Sequence, residues 1–115
     1  MISDEVWLAI STFPDAEIAG TIAQQLVTAQ LAACANVLPG ARSIYRWRGK
    51  VENASETIVL FKTTRARFAE LQKRLKELHP YDVPEIVALP VVDGLPAYLA
   101  WVNESCETPS VAKID

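Results

Sequence analysis

Arg42-Ser43-Ile44-Tyr45-Arg46-Trp47-Arg48-Gly49-Lys50-Val51-Glu52 decides the architecture of this chain. Tyr45 and Trp47 alternate with Arg46 and Arg48, which is the two-residue period of a strand. Gly49-Lys50 offers a two-residue turn, and Val51-Glu52 begins the return strand. Upstream, the first arm extends back through Asn36-Val37-Leu38 and is interrupted at Pro39-Gly40. Downstream, past the polar Asn53-Ala54-Ser55, the block Glu56 to Thr63 has the β-branched and aromatic density of an interior strand.

A helical pattern lies on each side of this hairpin. Ile18, Ile22 and Leu26 recur every four residues behind Pro14-Asp15, predicting a helix that runs out near Gln30 or Ala32. Thr64 is placed to cap a second helix whose apolar positions are Phe68, Leu71, Leu75 and Leu78, with Glu70 one turn from Arg74. Arg65 and Arg67 at its start oppose the helix dipole without a reason visible in the sequence. Val6 to Ile10 reads as a first strand and Glu85 to Val92 as a fourth. Pro96 then opens a short third helix carrying Tyr98, Leu99, Trp101 and Val102.

The order is β-α-β-β-α-β plus a helix, an α+β pattern that closes into a ferredoxin-like antiparallel sheet with an added C-terminal helix. Residues 1–106 make one such domain and 107–115 a polar tail. One element is too long for it. Residues 36 to 48 would extend roughly 40 Å at about 3.3 Å per residue, beyond a body about 35 Å across. The tip must project, carrying Tyr45 and Trp47 on one face. Large aromatics on such an arm are expected to pack against another chain.

The chain has 115 residues, half of them hydrophobic and 22% charged, with a net charge of −3. That balance disfavours nucleic-acid partners. No apolar run approaches the ~20 residues of a membrane span, and the acidic start Ser3-Asp4-Glu5 is unlike an export signal, so the expected location is cytoplasmic. Cys34, among small apolar residues, is expected to be buried and inert, and Cys106, past the last helix, to be exposed and oxidisable.

Three segments resemble the CutA divalent-cation tolerance family: Leu31-Ala32-Ala33-Cys34-Ala35-Asn36-Val37-Leu38-Pro39-Gly40, Ser43-Ile44-Tyr45-Arg46-Trp47-Arg48-Gly49-Lys50 and His79-Pro80-Tyr81-Asp82-Val83-Pro84-Glu85. Tyr98-Leu99-Ala100-Trp101 fits the family's end, and the resemblance runs from about Trp7 to Glu104. It implies a cytoplasmic homotrimer in which long hairpins are exchanged between neighbours, and a link to copper and other divalent ions. In members with proposed copper ligation, a cysteine follows the first strand and a second histidine precedes the His-Pro-Tyr motif. The matching positions here are Ser11 and Leu78.

His79 is the one histidine of the chain, and so the one imidazole available to copper or another divalent cation. A tight site needs three or four ligands, so His79 would need help, for instance from Asp82 or Glu85 of a neighbour. Its other reading is a cap on the end of the second helix. Tyr45, Trp47, Lys62, Tyr81 and Glu85 are the candidates for a pocket or a subunit contact. Glu56 and Lys62 share a strand face; if it enters a subunit cleft, Lys62 and Glu85 could hold an anion or a metal, and otherwise such charges simply meet water. No Ser-His-Asp set, phosphate loop or HExxH pair suggests an enzyme. Besides metal tolerance, two readings stand: a trimeric small-molecule sensor, and a structural trimer that organises a protein partner. No cofactor is firmly required by any of them.

Overall fold

A computed structural model of the chain describes residues 4–107. Asp15 ends the first strand, β1 (Val6–Phe13), and starts α1 (Ala16–Thr28) by accepting the Ile18 N–H at 2.8 Å. The helix stops at Thr28, earlier than its apolar pattern predicts, because Gln30 takes a left-handed φ of 62° that turns the chain into β2 (Cys34–Trp47). After β3 (Lys50–Thr64) comes α2 (Arg65–Leu78), then β4 (Ile86–Pro90) and α3 (Pro96–Ser105). The fourth strand is shorter at both ends than the Glu85–Val92 run expected from hydrophobicity. The polar tail expected at 107–115 falls, from Thr108 on, outside the described residues.

Every strand pairing is antiparallel and the order is β2-β3-β1-β4, so the α+β, ferredoxin-like expectation holds. Odd residues of β1 and β3 face α1 and α2. There Ala9, Phe13, Val59 and Phe61 pack with Ile22, Leu26, Leu71 and Leu75 in the main core. The third helix packs at one end of the other sheet face, where Val102 and Cys106 meet Val6 and Ala33.

Capping of α2 comes from a remote residue. Thr64 stands at the N-cap position, but its side chain makes no cap bond. Asp4 instead accepts the Ala66 N–H at 2.6 Å, and the Glu5 carbonyl accepts that of Arg65 at 2.8 Å. Asn103 of α3 holds Asp4 through both its amide oxygen (2.6 Å) and its amide nitrogen (3.1 Å). The acidic start of the chain is therefore a helix cap. The structure also explains Arg67, which is buried and donates from Nε to the Gln30 carbonyl at 3.3 Å, tying α2 to the end of α1. The helix ion pairs are Arg67–Glu70 and Arg74–Glu77, rather than the expected Glu70–Arg74.

The hairpin differs from its sequence reading in two ways. Its turn is Arg48-Gly49, with φ of 50° and 78°, and not Gly49-Lys50; Lys50 already pairs with Trp47. The return strand is continuous through Asn53-Ala54-Ser55, since each of these pairs with β2. Strands of 14 and 15 residues carry the tip away from the body, giving a longest dimension of 56 Å. The radius of gyration is 15.6 Å, against about 13 Å for a compact chain of this length.

Pro39-Gly40 is a bulge: the two residues stand opposite Thr57 alone, between the pairs Leu38↔Ile58 and Ala41↔Glu56. Gly40 takes φ 82°, which a side chain would resist. One inserted residue inverts the side-chain parity of β2. Tyr45 and Trp47 thus pair with Glu52 and Lys50, on the same sheet face as Cys34, Asn36 and Leu38. Without the bulge they would point to the helix side.

Ser11 lies on the core side of β1, fully buried, and its hydroxyl has no hydrogen-bond partner among the described residues. An unpaired buried hydroxyl costs free energy that a methyl group does not. Ser11→Ala is expected to stabilise the fold by about 1 kcal/mol, read as a higher urea midpoint with an unchanged slope.

Candidate functional site

His79 follows α2 directly because Pro80 prevents the helix from continuing. Its backbone N–H closes the last turn onto the Leu75 carbonyl at 2.9 Å. The ring then folds under the sheet, 92% buried, and stacks on Phe13 with centroids 4.5 Å apart. Nε2 lies 2.9 Å from the Thr12 carbonyl, and Nδ1 accepts the Tyr81 N–H at 3.1 Å. A carbonyl can only accept, so the ring is the neutral tautomer with its proton on Nε2. Both nitrogens are therefore engaged.

Protonation would place an N–H at Nδ1 facing the Tyr81 N–H. Burial lowers the pKa of His79 below 6.5, and Lys76 adds to this, while the Thr12 carbonyl and Glu56 oppose it. A metal could reach this imidazole only by displacing Thr12 or Tyr81. Ser11, at the position of the family's cysteine, is sealed in the core, and Leu78 packs against the same core.

Tyr81 extends the arrangement. Its hydroxyl donates to Glu56 Oε2 at 2.6 Å, and its ring lies 4.9 Å from His79. Burial and the Glu56 contact push the phenol well above its ordinary range, so it stays a donor. Tyr45 is close enough to contribute to that shift. Glu56 is thus a hydrogen-bonded strut joining β3 to the loop after α2, where the sequence suggested a water-facing charge. Glu85 is exposed just before β4, and Trp47 is exposed at the arm tip with Arg48 over its ring at 5.5 Å.

Lys62 lies apart from these residues, at the far end of β3. Its ammonium donates to Asn36 Oδ1. Cys34 is its register partner on β2 and Leu8 its partner on β1. The Cys34 thiol sits 3.8 Å from the Tyr98 hydroxyl of α3, and Tyr98 packs against Trp101 at 5.6 Å. The two cysteines reverse their expected roles: Cys34 is only half-buried and Cys106 is sealed in the core. The reason is tertiary. The third helix folds back over the sheet and carries Cys106 inward, while β2 turns Cys34 to the open face. Cys34 and Asn36 could have been grouped from their i, i+2 spacing; Tyr98 could not.

The structure therefore splits the predicted residues into two sets. His79, Tyr81 and Glu56 meet at one end of the sheet, with Tyr45 nearby; Lys62 meets Cys34, Asn36 and Tyr98 at the other. Among the described residues no three His, Cys, Asp or Glu side chains are grouped to hold a metal ion. Nor is any described helix long and apolar enough to cross a membrane.

The even-numbered face of the sheet is the largest feature left. Its rows, read across the strands, are Cys34–Lys62–Leu8–Leu89, Asn36–Leu60–Ile10–Val87 and Leu38–Ile58–Thr12. Among the described residues, α3 touches it at one end and the loop after α2 at the other, where Tyr81 meets Glu56. Most of the rest is apolar and open to solvent, with Leu38, Val87 and Leu89 exposed.

Comparison with known proteins gives a consistent result. The family described as CutA1 divalent ion tolerance protein matches residues 7–105. The chain is 50% identical over 98 residues to the divalent-cation tolerance protein CutA of Thermus thermophilus, covering 85% of this chain and 95% of that one. The crystal structure of CutA from Xylella fastidiosa superposes with a TM-score of 0.87 at 45% identity, over 90% of this chain and 99% of the other. A protein from Archaeoglobus fulgidus described as periplasmic CutA superposes with a TM-score of 0.85 at 37% identity, over 89% and 99%. One relative is thus described as periplasmic, and the family is described by ion tolerance rather than by a reaction. The chain belongs to the CutA1 divalent ion tolerance family.

Proposed function

We propose that this protein acts in divalent-cation tolerance as a cytoplasmic homotrimer whose subunits exchange their hairpin arms and bind copper or a similar ion weakly. The carrying observation is the uncovered apolar sheet face, continued onto the arm by the Pro39-Gly40 bulge. Apolar surface on this scale is stable when a second copy covers it. The arm presents apolar groups on both sides, Tyr45 and Trp47 on one and Ile44 and Val51 on the other, as an element lodged between neighbours would. Charge supports the same arrangement: Arg42, Arg46, Arg48 and Lys50 make the arm basic, while Asp82, Glu85 and Asp93 flank β4 with acid. The resemblance of the three motifs supports three copies.

Within one chain the described residues do not fit a tight metal site, since both nitrogens of His79 are hydrogen-bonded and no other ligands converge on it. The same geometry supports a reading of weak binding, in which an ion would displace a hydrogen bond of His79 and draw Asp82 or Glu85 from a neighbour. Calorimetric titration of the assembled protein with Cu(II) tests this, with a dissociation constant of about 1 μM or weaker expected. His79→Gln should weaken binding further. Equal binding by the two proteins would remove His79 as a ligand.

A further inference from the structure

The group around Lys62 is unusual in what it lacks. Lys62 makes no ion pair with a carboxylate among the described residues, although it sits on an apolar face beside Leu8 and next to Leu60. Its one acceptor is the Asn36 amide oxygen, which leaves the Asn36 amide N–H groups and two ammonium hydrogens unused. Tyr98 brings a phenol O–H to the same place through its contact with Cys34, the cross-strand partner of Lys62. Burial and the Cys34 contact raise the pKa of Tyr98, so it too remains protonated, with its hydroxyl against the Cys34 sulfur. The cluster is rich in donors: the Asn36 oxygen is taken by Lys62, and the weakly accepting Cys34 sulfur is what the Tyr98 hydroxyl meets.

We propose that Lys62, Asn36 and Tyr98, with Cys34 beside them, form a binding site for a carboxylate that carries an apolar group. A carboxylate is acceptor-only and suits neighbouring donors of which one is charged; it would also draw the Tyr98 O–H away from the weaker sulfur acceptor. Leu8 and Leu60 flank the ammonium in the sheet, and Trp101 extends the Tyr98 ring, so apolar surface adjoins the donors. That surroundings favours an organic acid over a fully hydrated inorganic anion. The site rests on the assembly reading in one respect, that a neighbouring copy over this face would exclude water and strengthen the charged contact. The carboxylate could be a free small acid or an acidic side chain of that neighbouring copy, and the two sources give different results.

The experiment begins with the mass of the wild-type protein by light scattering, which tests the assembly separately. Benzoate and inorganic phosphate are then titrated at constant ionic strength, following thermal stability and heat of binding. Free-acid binding predicts that benzoate stabilises the protein and that Lys62→Met weakens its binding about tenfold or more. Tyr98→Phe should weaken it less. Both variants must first show the wild-type circular dichroism; Lys62→Gln replaces Lys62→Met if the latter does not fold. A neighbour's carboxylate predicts no benzoate effect, and conversion of the Lys62→Met assembly to single chains. The proposal is overturned if phosphate binds as tightly as benzoate, or if Lys62→Met binds benzoate like the wild type. It is equally overturned if benzoate has no effect while Lys62→Met assembles normally.

Discussion

Leu60→Glu is expected to convert the proposed trimer into single folded chains. Leu60 occupies the centre of the open sheet face, between Asn36 and Ile10, and is not needed by the core on the helix side. In a single chain the new carboxylate meets water and costs little. In the assembly it would be desolvated at a cost that Lys62, two residues along the same face, offsets only in part, and three copies would repel one another. Light scattering should fall from about three times the 12.7 kDa chain mass to that mass alone, with circular dichroism unchanged. A glutamate at Gln24, on the outer side of α1, should leave the mass unaltered. A wild-type protein that is already a single chain, or a Leu60→Glu protein that stays assembled, would defeat the proposed arrangement.

The second large effect is at His79, and it is one of stability. His79→Ala removes a ring stacked on Phe13 and leaves the Thr12 carbonyl and the Tyr81 N–H without partners. Cavity and lost hydrogen bonds together predict a loss of about 3 kcal/mol, measured by urea unfolding at fixed subunit concentration. A loss under about 1 kcal/mol would mean that the ring is not the strut described.

His79 also predicts a pH dependence. Its folded pKa lies below the unfolded value of 6.5, so the unfolded chain binds the proton more readily. The stabilisation is fully present above pH 6.5 and is lost as pH falls from there towards the folded pKa. The slope cannot exceed about 1.4 kcal/mol per pH unit for a single proton. No other histidine titrates in this window. His79→Gln, which keeps an N–H for the Thr12 carbonyl, should be nearly flat between pH 5 and 7 if that single group is responsible. The same variant serves in the copper titration, where Ala would confuse lost binding with lost fold.

The candidate sites were legible unevenly, for physical reasons. His79 stood out because it is the one imidazole, and Pro80 beside it marked the end of a helix. The sequence could not show that both ring nitrogens would be satisfied, because Thr12 is 67 residues away. Lys62 was recognisable as a charge in an apolar strand. Its surroundings depended on the pairing of β2 with β3 and on the return of α3, so Tyr98 and Asn36 were missed. The cysteines were misread for the same reason: local composition says how apolar a segment is, but only packing says which side of the sheet it faces.

By itself the sequence determined the order of the elements, since hydrophobic periods of two and of about four residues, with prolines and glycines between them, are local properties. It also determined that the hairpin outruns its own body, because strand length follows from residue count. Only the tertiary structure decided what that arm presents. The bulge at Pro39-Gly40 depends on two residues standing opposite Thr57, a relation between strands and not within one. It places Tyr45 and Trp47 on the uncovered face, next to the rows centred on Lys62, Leu60 and Ile58. Cross-strand register, which no local pattern encodes, turned an overlong hairpin into one continuous surface.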